Sequence, residues 1–193
     1  MHQHFDLQTL PVSRWKNGAG LTREIVRIPL DTELETFDWR VSIAELSTSS
    51  AFSRFDGVDR IITLLDGDGI RMQSADSAVD HHLSTPLNPF AFRGEHTIDA
   101  TLIGSPSRDF NVMTRRGTTR AELSIVRAQT TLAEAPAGVL YVASGRWRIE
   151  THSLDAGSGV WWNEEPLTFT IEPLSNDSAL IAVAIRPRAD DAR

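Results

Sequence analysis

Cysteine is absent from the 193-residue sequence, as are long apolar runs and any excess of basic residues. Without cysteine the chain has no disulfide, no thiolate nucleophile and no cysteine-ligated zinc or iron–sulfur site. No stretch approaches the ~18 consecutive apolar residues that indicate a membrane-spanning helix. The first residues also lack the cationic and apolar regions of a signal peptide. We therefore expect a cytoplasmic protein with no membrane partner.

The charge balance is acidic, with 19 Lys and Arg against 26 Asp and Glu and a net charge of −7. Such a chain lacks the basic footprint of nucleic-acid binding, so we expect no nucleic-acid partner. Hydrophobic residues make up 40% of the chain and charged residues 23%, which is a composition able to build a buried core. The length suits one large domain or two small lobes.

Alternating segments and short apolar runs, separated by Gly-, Asn- and Pro-rich turn signals, predict strands rather than helices. The predicted strands include residues 39–43, 60–65, 100–103, 110–114, 139–142, 168–171 and 180–185. Residues 121–128 fit either a helix or a strand, and we predict a strand. Because the turn signals are closely spaced, the pattern is typical of an all-β sandwich or barrel.

A weak internal repeat aligns residues 64–71 with 141–148, which pairs Gly67 with Gly145. Self-similarity of this kind favours two similar β lobes, although chance pairing of β-rich segments would give comparable similarity. We predict an N-terminal lobe over residues 1–117 and a C-terminal lobe over residues 118–193.

The segment from Trp15 to Glu24 has the highest density of hydrogen-bonding side chains around a flexible turn. Glycines let the backbone approach a ligand, and Lys16 and Asn17 supply donors suited to a carboxylate. Thr22 and Glu24 add further polar groups. The alternative is a hairpin turn whose charges face water.

Two predicted strands each carry a polar row. Period-two geometry places Arg40 and Ser42 on one face of the first strand, and Asp109, Asn111 and Arg115 on one face of the second. These rows either face solvent on a half-exposed sheet or line a cavity that holds a small polar ligand.

Arg60 begins an apolar strand and needs a partner for its guanidinium. Asp59, Glu45 or a ligand anion would serve, and a structural salt bridge remains an alternative to ligand binding.

Neither metal nor nucleophile chemistry has a sequence signature. His81 and His82 are adjacent, so a strand would direct them to opposite faces. A Gly-x-Ser-x-Gly elbow is missing, and no spacing specifies a Ser-His-Asp triad. We therefore predict no metal, no cofactor and no assigned catalytic residue.

Four motifs together resemble the HutD/Ves family. They are Trp15-Lys16-Asn17-Gly18-Ala19-Gly20-Leu21-Thr22-Arg23-Glu24-Ile25, Phe37-Asp38-Trp39-Arg40-Val41-Ser42-Ile43-Ala44, Phe52-Ser53-x-Phe55-x-Gly57-x-x-Arg60 and Asp109-Phe110-Asn111-Val112-Met113-Thr114-Arg115-Arg116-Gly117. The resemblance implies a bicupin, with two small jelly-roll-like β-barrel lobes, and an accessory or regulatory role in histidine utilisation with no established enzymatic activity. The sequence departs from the family at Ala19, where a glycine is usual, and it lacks the metal-binding cupin motifs.

The residue patterns and the resemblance together predict one pocket for a small anionic metabolite. Its predicted ligand-binding residues are Lys16, Asn17, Thr22, Glu24, Arg40, Ser42, Arg60, Asp109, Asn111 and Arg115. The family link suggests a histidine-breakdown intermediate, such as urocanate or formyl- or formimino-glutamate. We expect a non-catalytic, metal-free binder.

Two other functions are compatible with the same residues. The first is a metal-independent isomerase or hydrolase with Glu24, Glu45 or Asp109 as base. The second is a protein adaptor with an empty lobe. The sequence allows a homodimer.

Overall fold

A computed structural model describes residues 1–30 and 36–188, and every regular element in those ranges is a β-strand. The prediction of an all-β fold is confirmed. Residues 121–128, which fitted a helix or a strand, fall largely in strand β12 (Thr119–Val126). The described ranges contain no helix, and hence none long and apolar enough to cross a bilayer.

The chain divides into two compact units, which we call the N-terminal unit (Pro11–Thr119) and the C-terminal unit (Met1–Leu10 with Arg120–Arg193). The N-terminal unit contains β2 (Val12–Arg14), β3 (Gly20–Ile28), β4 (Trp39–Leu46), β5 (Ser50–Ala51), β6 (Val58–Asp66), β7 (Ile70–Ser74), β8 (Asp80–Leu83), β9 (Phe90–Arg93), β10 (Ile98–Leu102) and β11 (Ser107–Arg115). The C-terminal unit contains β1 (His2–Asp6), β12, β13 (Thr130–Thr131), β14 (Ala137–Ser144), β15 (Arg146–Ile149), β16 (His152–Asp155), β17 (Ser158–Trp162), β18 (Thr170–Pro173) and β19 (Ala179–Pro187).

The two units share one strand order. In the N-terminal unit the sheets run β2-β3-β4-β11-β6-β9 and β5-β10-β7-β8, and in the C-terminal unit they run β1-β17-β14-β19-β12 and β13-β18-β15-β16. The order β4-β11-β6-β9 therefore matches β12-β19-β14-β17, and β5-β10-β7-β8 matches β13-β18-β15-β16. The units differ at opposite edges of the larger sheet: the N-terminal unit adds the hairpin β2–β3 beside β4, and the C-terminal unit adds β1 beside β17, the equivalent of β9.

The hairpins that the internal repeat aligned are equivalent in detail. Gly67 and Gly145 both have positive φ, at 93° and 73°. Both lie just after a long strand whose pairing shifts by one residue, beside Leu65 in β6 and beside Ala143 in β14. Because glycine reaches positive φ without a Cβ penalty, it allows the same tight turn in both units.

The predicted lobes differ from the compact units at the beginning of the chain. Residues 1–10 were predicted in the first lobe, but β1 pairs antiparallel with β17, with Phe5 opposite Gly159. Gly159 leaves room for this pairing, because an added Cβ would lie 2.5 Å from the Phe5 ring. The predicted second lobe also runs over residues 189–193, which lie outside the described residues.

Each unit buries an apolar core between its two sheets. In the N-terminal unit, Ile62 and Leu64 of β6 pack with Met72 of β7 and Ile98 of β10. In the C-terminal unit the core includes Trp147, Trp162 and nine further buried apolar residues. Alternation along β6 and β14 directs every second side chain into these cores.

Candidate functional site

The polar rows predicted from sequence lie side by side in the six-stranded sheet. Asn111 of β11 is paired with Ser42 of β4 on one side and with Ile62 of β6 on the other. One step along the same face, Met113 is paired with Arg40 and with Arg60. Because Ile62 belongs to the apolar core, this face of the sheet is directed inward, and the rows are buried rather than solvent-facing.

A hydrogen-bonded chain of three side chains forms the centre of this face. The Arg60 Nη2 donates to the Asn111 Oδ1 at 3.0 Å, and the Asn111 Nδ2 donates to the Asp109 Oδ1. The side chains are nearly inaccessible to solvent, with exposed fractions of 5% for Arg60, 4% for Asn111 and 2% for Asp109. Asn111 thus links a buried cation to a buried carboxyl group.

Three aromatic rings surround the Arg60 guanidinium. Its Cζ lies 4.9 Å from the ring centroid of Phe92, 5.2 Å from that of Phe52 and 6.0 Å from that of Phe55. The negative π-face of an aromatic ring attracts a cation, and the attraction strengthens where water is excluded. The rings therefore hold the guanidinium charge in place without using its hydrogen-bond donors.

Most of the hydrogen-bonding capacity of Arg60 is unused. A guanidinium offers five N–H donors. One is bound to Asn111, one makes a long 3.5 Å bond to the backbone carbonyl of Ser53, and the buried Nε has no hydrogen-bond partner in the part of the chain that the structure describes. We call the group formed by Arg60, Asn111, Asp109 and the three rings the Arg60 site.

Burial shifts the pKa of both ionisable groups in the Arg60 site in the direction that favours the uncharged form of each group. It lowers the pKa of Arg60 to about 10, opposed by the charge of Asp109 and reinforced by that of Arg40. It raises the pKa of Asp109 to about 7, although the charge of Arg60 and the bond from Asn111 both act in the other direction. At neutral pH Arg60 is charged and Asp109 lies close to its midpoint.

A second charged cluster lies next to the Arg60 site on β3 and β4. The Arg40 Nε donates to the Glu24 Oε2 at 2.6 Å, and the Arg27 Nε lies 3.3 Å from the Glu24 Oε1. The Arg40 Nη1 also approaches the Met113 sulfur at 4.0 Å. Glu24 is therefore held between two arginines, so its role in this structure is as a counter-ion.

The predicted residues of the β2–β3 turn lie at the far end of the sheet. Gly20 is paired with Leu46, six residues along β4 from Arg40, which corresponds to about 20 Å of extended strand. Lys16 is exposed on the turn beyond this point, so the structure does not bring it together with Arg60.

Asn17 and Thr22 make contacts that hold the turn. The Asn17 Oδ1 accepts from the Ala19 backbone N–H at 3.0 Å, and its Nδ2 donates to the Ser50 hydroxyl at 2.7 Å. The Thr22 hydroxyl accepts from the Trp15 Nε1 at 2.8 Å. These contacts match the alternative interpretation of the segment as a hairpin turn. Ala19, the departure from the family pattern, is buried, and its carbonyl accepts from the Ser47 and Thr48 backbone N–H groups.

Arg115 lines a cavity of about 290 Å³ at the end of the sheet nearest Arg60. It lies two residues beyond Met113 on β11, and its guanidinium donates to the backbone carbonyls of Phe37 and Asp56. Phe55, which also contacts the Arg60 guanidinium, lines the same cavity. The remaining lining residues are Arg54, Asp56 and Val58.

Several neighbours of Arg60 were not identified from the sequence as site residues. Phe52, Ser53 and Phe55 belong to the same family motif as Arg60. Their position shortly before Arg60 in that motif was the sequence signal that could have identified them as its neighbours. The predicted partners of Arg60 were Asp59 and Glu45, but Asp59 accepts from Arg116 at 2.7 Å and Glu45 lies 3.9 Å from Arg23. In a strand Asp59 and Arg60 point to opposite faces, which separates them.

In the described ranges no group of three His, Cys, Asp or Glu side chains is placed to hold a metal ion. The polar groups that meet in the Arg60 site are a guanidinium, an amide and one carboxyl group. Guanidinium and amide N–H groups are suited to anions rather than cations.

Comparison with known families gives a match over most of the chain. A sequence model of the HutD family matches residues 7–180. Protein Ves of Escherichia fergusonii is 40% identical over 161 residues, which cover 83% of this chain and 82% of that protein.

Solved structures give a consistent result. The structure of HutD from Pseudomonas fluorescens SBW25, in a formate condition, has a TM-score of 0.85 and 27% identity, and the match covers 97% of this chain and 100% of that one. The structure of a Lactobacillus farciminis oxalate decarboxylase, in a formate complex, has a TM-score of 0.63 and 8% identity, and the match covers 95% of this chain and 88% of that one. At such low identity the likeness shows the fold alone, which is cupin-like.

 

Proposed function

We propose that this chain, which belongs to the HutD family, is a non-catalytic accessory protein of histidine utilisation. We propose that it binds a small carboxylate at the Arg60 site. Family membership supports the link to histidine utilisation. The chemistry of the Arg60 site supports the ligand class, because a guanidinium and an amide are the usual partners of a carboxylate.

The observation that carries this proposal is the buried, incompletely bonded Arg60 guanidinium. Its Nε has no hydrogen-bond partner in the described residues, and its Nη1 has only a 3.5 Å contact. Leaving buried donors unpaired costs free energy, about 1–3 kcal/mol for each group. A carboxylate that accepted two parallel N–H bonds from Arg60 would remove this cost, since the planar fork of a guanidinium matches a carboxylate.

The cavity beside Arg115 supports a route to the Arg60 site. Phe55 borders both the cavity and the Arg60 guanidinium, and Met113 occupies the sheet position between Arg115 and Asn111. A small ligand that entered near Arg115 would need only local movement of these side chains to reach the buried cation. The lining contains Arg54, Arg115 and Asp56, and Asp56 pairs with Arg54 at 2.8 Å, so the cavity keeps one net positive charge, which favours anions.

We further propose that the two units are two cupin lobes, as the bicupin prediction stated. The matched strand orders of the two units and the cupin-like neighbours support this description. In this view the N-terminal lobe carries the ligand site.

Calorimetric titration with sodium formate and sodium acetate tests the binding proposal. We expect Arg60→Ala to weaken carboxylate binding by about 2 kcal/mol or more, close to 30-fold, because a charge-assisted pair in a desolvated site is lost. Arg60→Lys should restore only part of the affinity, because an ammonium group lacks the planar pair of donors.

Arg71→Ala is the matched control, because Arg71 is a partly exposed arginine of the same unit that pairs with Asp80. It should bind carboxylates as the unchanged protein does. If Arg60→Ala and Asn111→Ala both fold and bind with unchanged affinity, the Arg60 site is not the binding site.

A second candidate function is a metal-independent enzyme with Asp109 as the general base. It is favoured by the pKa of Asp109, which burial raises to about 7, near the optimum for acid–base catalysis at neutral pH. Incubation with urocanate and with formylated or formiminated glutamate, followed by mass spectrometry, separates the two functions. The binding proposal expects unchanged compounds, whereas steady turnover that disappears in Asp109→Asn would establish the enzyme.

A further inference from the structure

We propose that the Arg60 site takes up an anion together with one proton, and that Asp109 is the group that accepts the proton. The inference rests on the proposed function, because it concerns the binding of a carboxylate at Arg60. It adds a pH-dependent affinity to the binding site.

The argument begins with the charges that the site already contains. The amide of Asn111 connects Arg60 and Asp109 through hydrogen bonds, and all three side chains are at least 95% buried. With Asp109 ionised, the charges of Arg60 and Asp109 balance. An anion added beside Arg60 would leave two negative charges and one positive charge in a region with little water, which is costly. A proton on Asp109 restores the balance.

The neighbours of Asp109 leave few alternatives for the proton. Asp109 shares its face of β11 with Asn111 and Met113. It is paired with Leu64 on β6 and with Ala44 on β4, and Arg60 lies on the same face of β6, opposite Met113. From the opposite sheet, the core side chains Met72, Ile98 and Ala100 are apolar.

The next charged group on this face is the Glu24 cluster. Glu24 is bound by both Arg40, at 2.6 Å, and Arg27, at 3.3 Å. Arg40 is itself bound by Glu24, so it already has a counter-ion. Within residues 1–30 and 36–188, Asp109 is therefore the carboxyl group on this face that no cation binds directly.

The ionisation of Asp109 supports the same conclusion. Burial raises the pKa of this carboxyl group to about 7 in the ligand-free protein. A bound anion adds a second negative charge nearby and raises the pKa of Asp109 further. The Oδ1 of Asp109 accepts from Asn111, so the proton, which comes from solvent, can bind at Oδ2 without disturbing that bond.

The coupling has a defined pH dependence. Below about pH 7 Asp109 already carries its proton, so an anion binds without proton uptake. Above about pH 7 each bound anion brings one proton, and affinity falls by up to about tenfold for each pH unit. Formate and acetate remain ionised across this range, so their own titration does not produce the effect.

The test is calorimetric titration with sodium formate in two buffers of different ionisation enthalpy, at about pH 5.5 and about pH 8.5. The difference in observed heat gives the number of protons taken up. We expect close to none at the lower pH and close to one at the higher pH. Asp109→Asn should bind with no proton uptake at either pH. Asp99→Asn, which removes an exposed carboxylate from β10, should behave as the unchanged protein.

Infrared difference spectra of the unchanged protein provide a measurement that does not need a folded Asp109 variant. Formate added at about pH 8.5 should produce a protonated-carboxyl band. Formate binding without this band, or without proton uptake, would overturn the coupling and leave the proposed function standing. Uptake that persists in Asp109→Asn would assign the proton elsewhere. If neither formate nor acetate binds at either pH, both proposals fail.

Discussion

The N-terminal and C-terminal units differ most at the positions of the Arg60 site. Arg60 is paired with Met113 and Phe92, and its equivalent in the C-terminal unit, Gly138, is paired with Ala184 and Trp162. By the same pairing, Ala182 stands at the position of Asn111 and Leu180 at that of Asp109. The C-terminal unit thus has small or apolar residues wherever the N-terminal unit has the buried polar chain.

In the C-terminal unit, the Trp162 side chain fills the space that corresponds to that of the Arg60 side chain in the N-terminal unit. A Cβ added to Gly138 would lie 2.6 Å from the Trp162 ring, so the indole packs directly on this glycine. The Trp162 Nε1 donates to the Ala135 carbonyl at 2.9 Å, which satisfies its polar group. The comparison indicates that the same strand arrangement can be stabilised by a filled apolar core, so the buried charges of the N-terminal unit are not required by the fold.

The largest effect that would test this comparison is expected for Trp162→Ala. Removing a buried indole leaves a cavity and should lower the free energy of unfolding by roughly 3–5 kcal/mol, with formate affinity unchanged. Denaturant unfolding and calorimetric titration measure the two quantities. Phe92→Ala is the matched variant in the N-terminal unit, and we expect it to weaken formate binding as well as stability, because its ring lies on Arg60. Loss of formate binding in Trp162→Ala alone would contradict the division of roles.

A second test uses the pH dependence of stability. The pKa of Asp109 is raised from 3.8 to about 7 in the folded protein, so the unfolded chain releases this proton first. Its contribution to stability is therefore greatest below about pH 4 and is lost as pH rises toward 7. Leu180, the equivalent residue, does not titrate.

Asp109→Asn should therefore gain stability relative to the unchanged protein as pH rises. The free energy of unfolding of Asp109→Asn minus that of the unchanged protein should increase by about 4 kcal/mol between pH 4 and pH 7.5. Denaturant unfolding at several pH values measures it. Parallel pH profiles for the two proteins would show that Asp109 is not the buried titrating group.

Gly67→Val and Gly145→Val test the equivalence of the two hairpins. Each glycine has positive φ, so valine should cost roughly 2 kcal/mol or more in either unit. We expect the larger loss at Gly67, where a Cβ would meet the backbone of Pro106 and Ser107, whereas at Gly145 it would meet the hydroxyls of Ser175 and Ser178. Thermal unfolding of both variants gives the comparison. A normal melting curve for one of them would show that the turns are not equivalent.

The smallest effect is expected for Lys16→Ala. Lys16 is exposed on the β2–β3 turn at the far end of the sheet, so its removal should change formate affinity by less than about 0.5 kcal/mol. The same calorimetric titration measures this change. A loss of formate affinity as large as that of Arg60→Ala would show that the β2–β3 turn is part of the binding site.

Alternation along each strand made the polar rows predictable. Once residues 39–43 and 110–114 are assigned as strands, the shared face of Arg40 and Ser42, and that of Asp109 and Asn111, follows from the two-residue period. The sequence could not show that β11 lies between β4 and β6, because strand neighbours depend on pairing between distant segments. Local sequence patterns therefore could not predict the hydrogen bond from Arg60 to Asn111, which is 51 residues away.

The placement of Lys16 failed for a related reason. Residues 15–24 are dense in polar side chains, and nearness in sequence suggested nearness to one ligand. A nine-residue strand such as β3 spans about 30 Å, so the turn before it and the cluster near its end occupy opposite ends of the sheet. The position of residues 1–10 was also unpredictable, because the short β1 segment carries no signal for its distant partner β17.

The pairing of β1 with β17 sets an order in which the protein can form during synthesis. Residues 2–6 leave the ribosome long before their partners at residues 158–162, so the five-stranded sheet of the C-terminal unit can be completed only after residue 162 has been made. The N-terminal unit is contiguous from Pro11 to Thr119 and does not have to wait. A circular permutant in which residues 1–10 follow the last strand would therefore shorten this delay, because both partners would then be made close together in time.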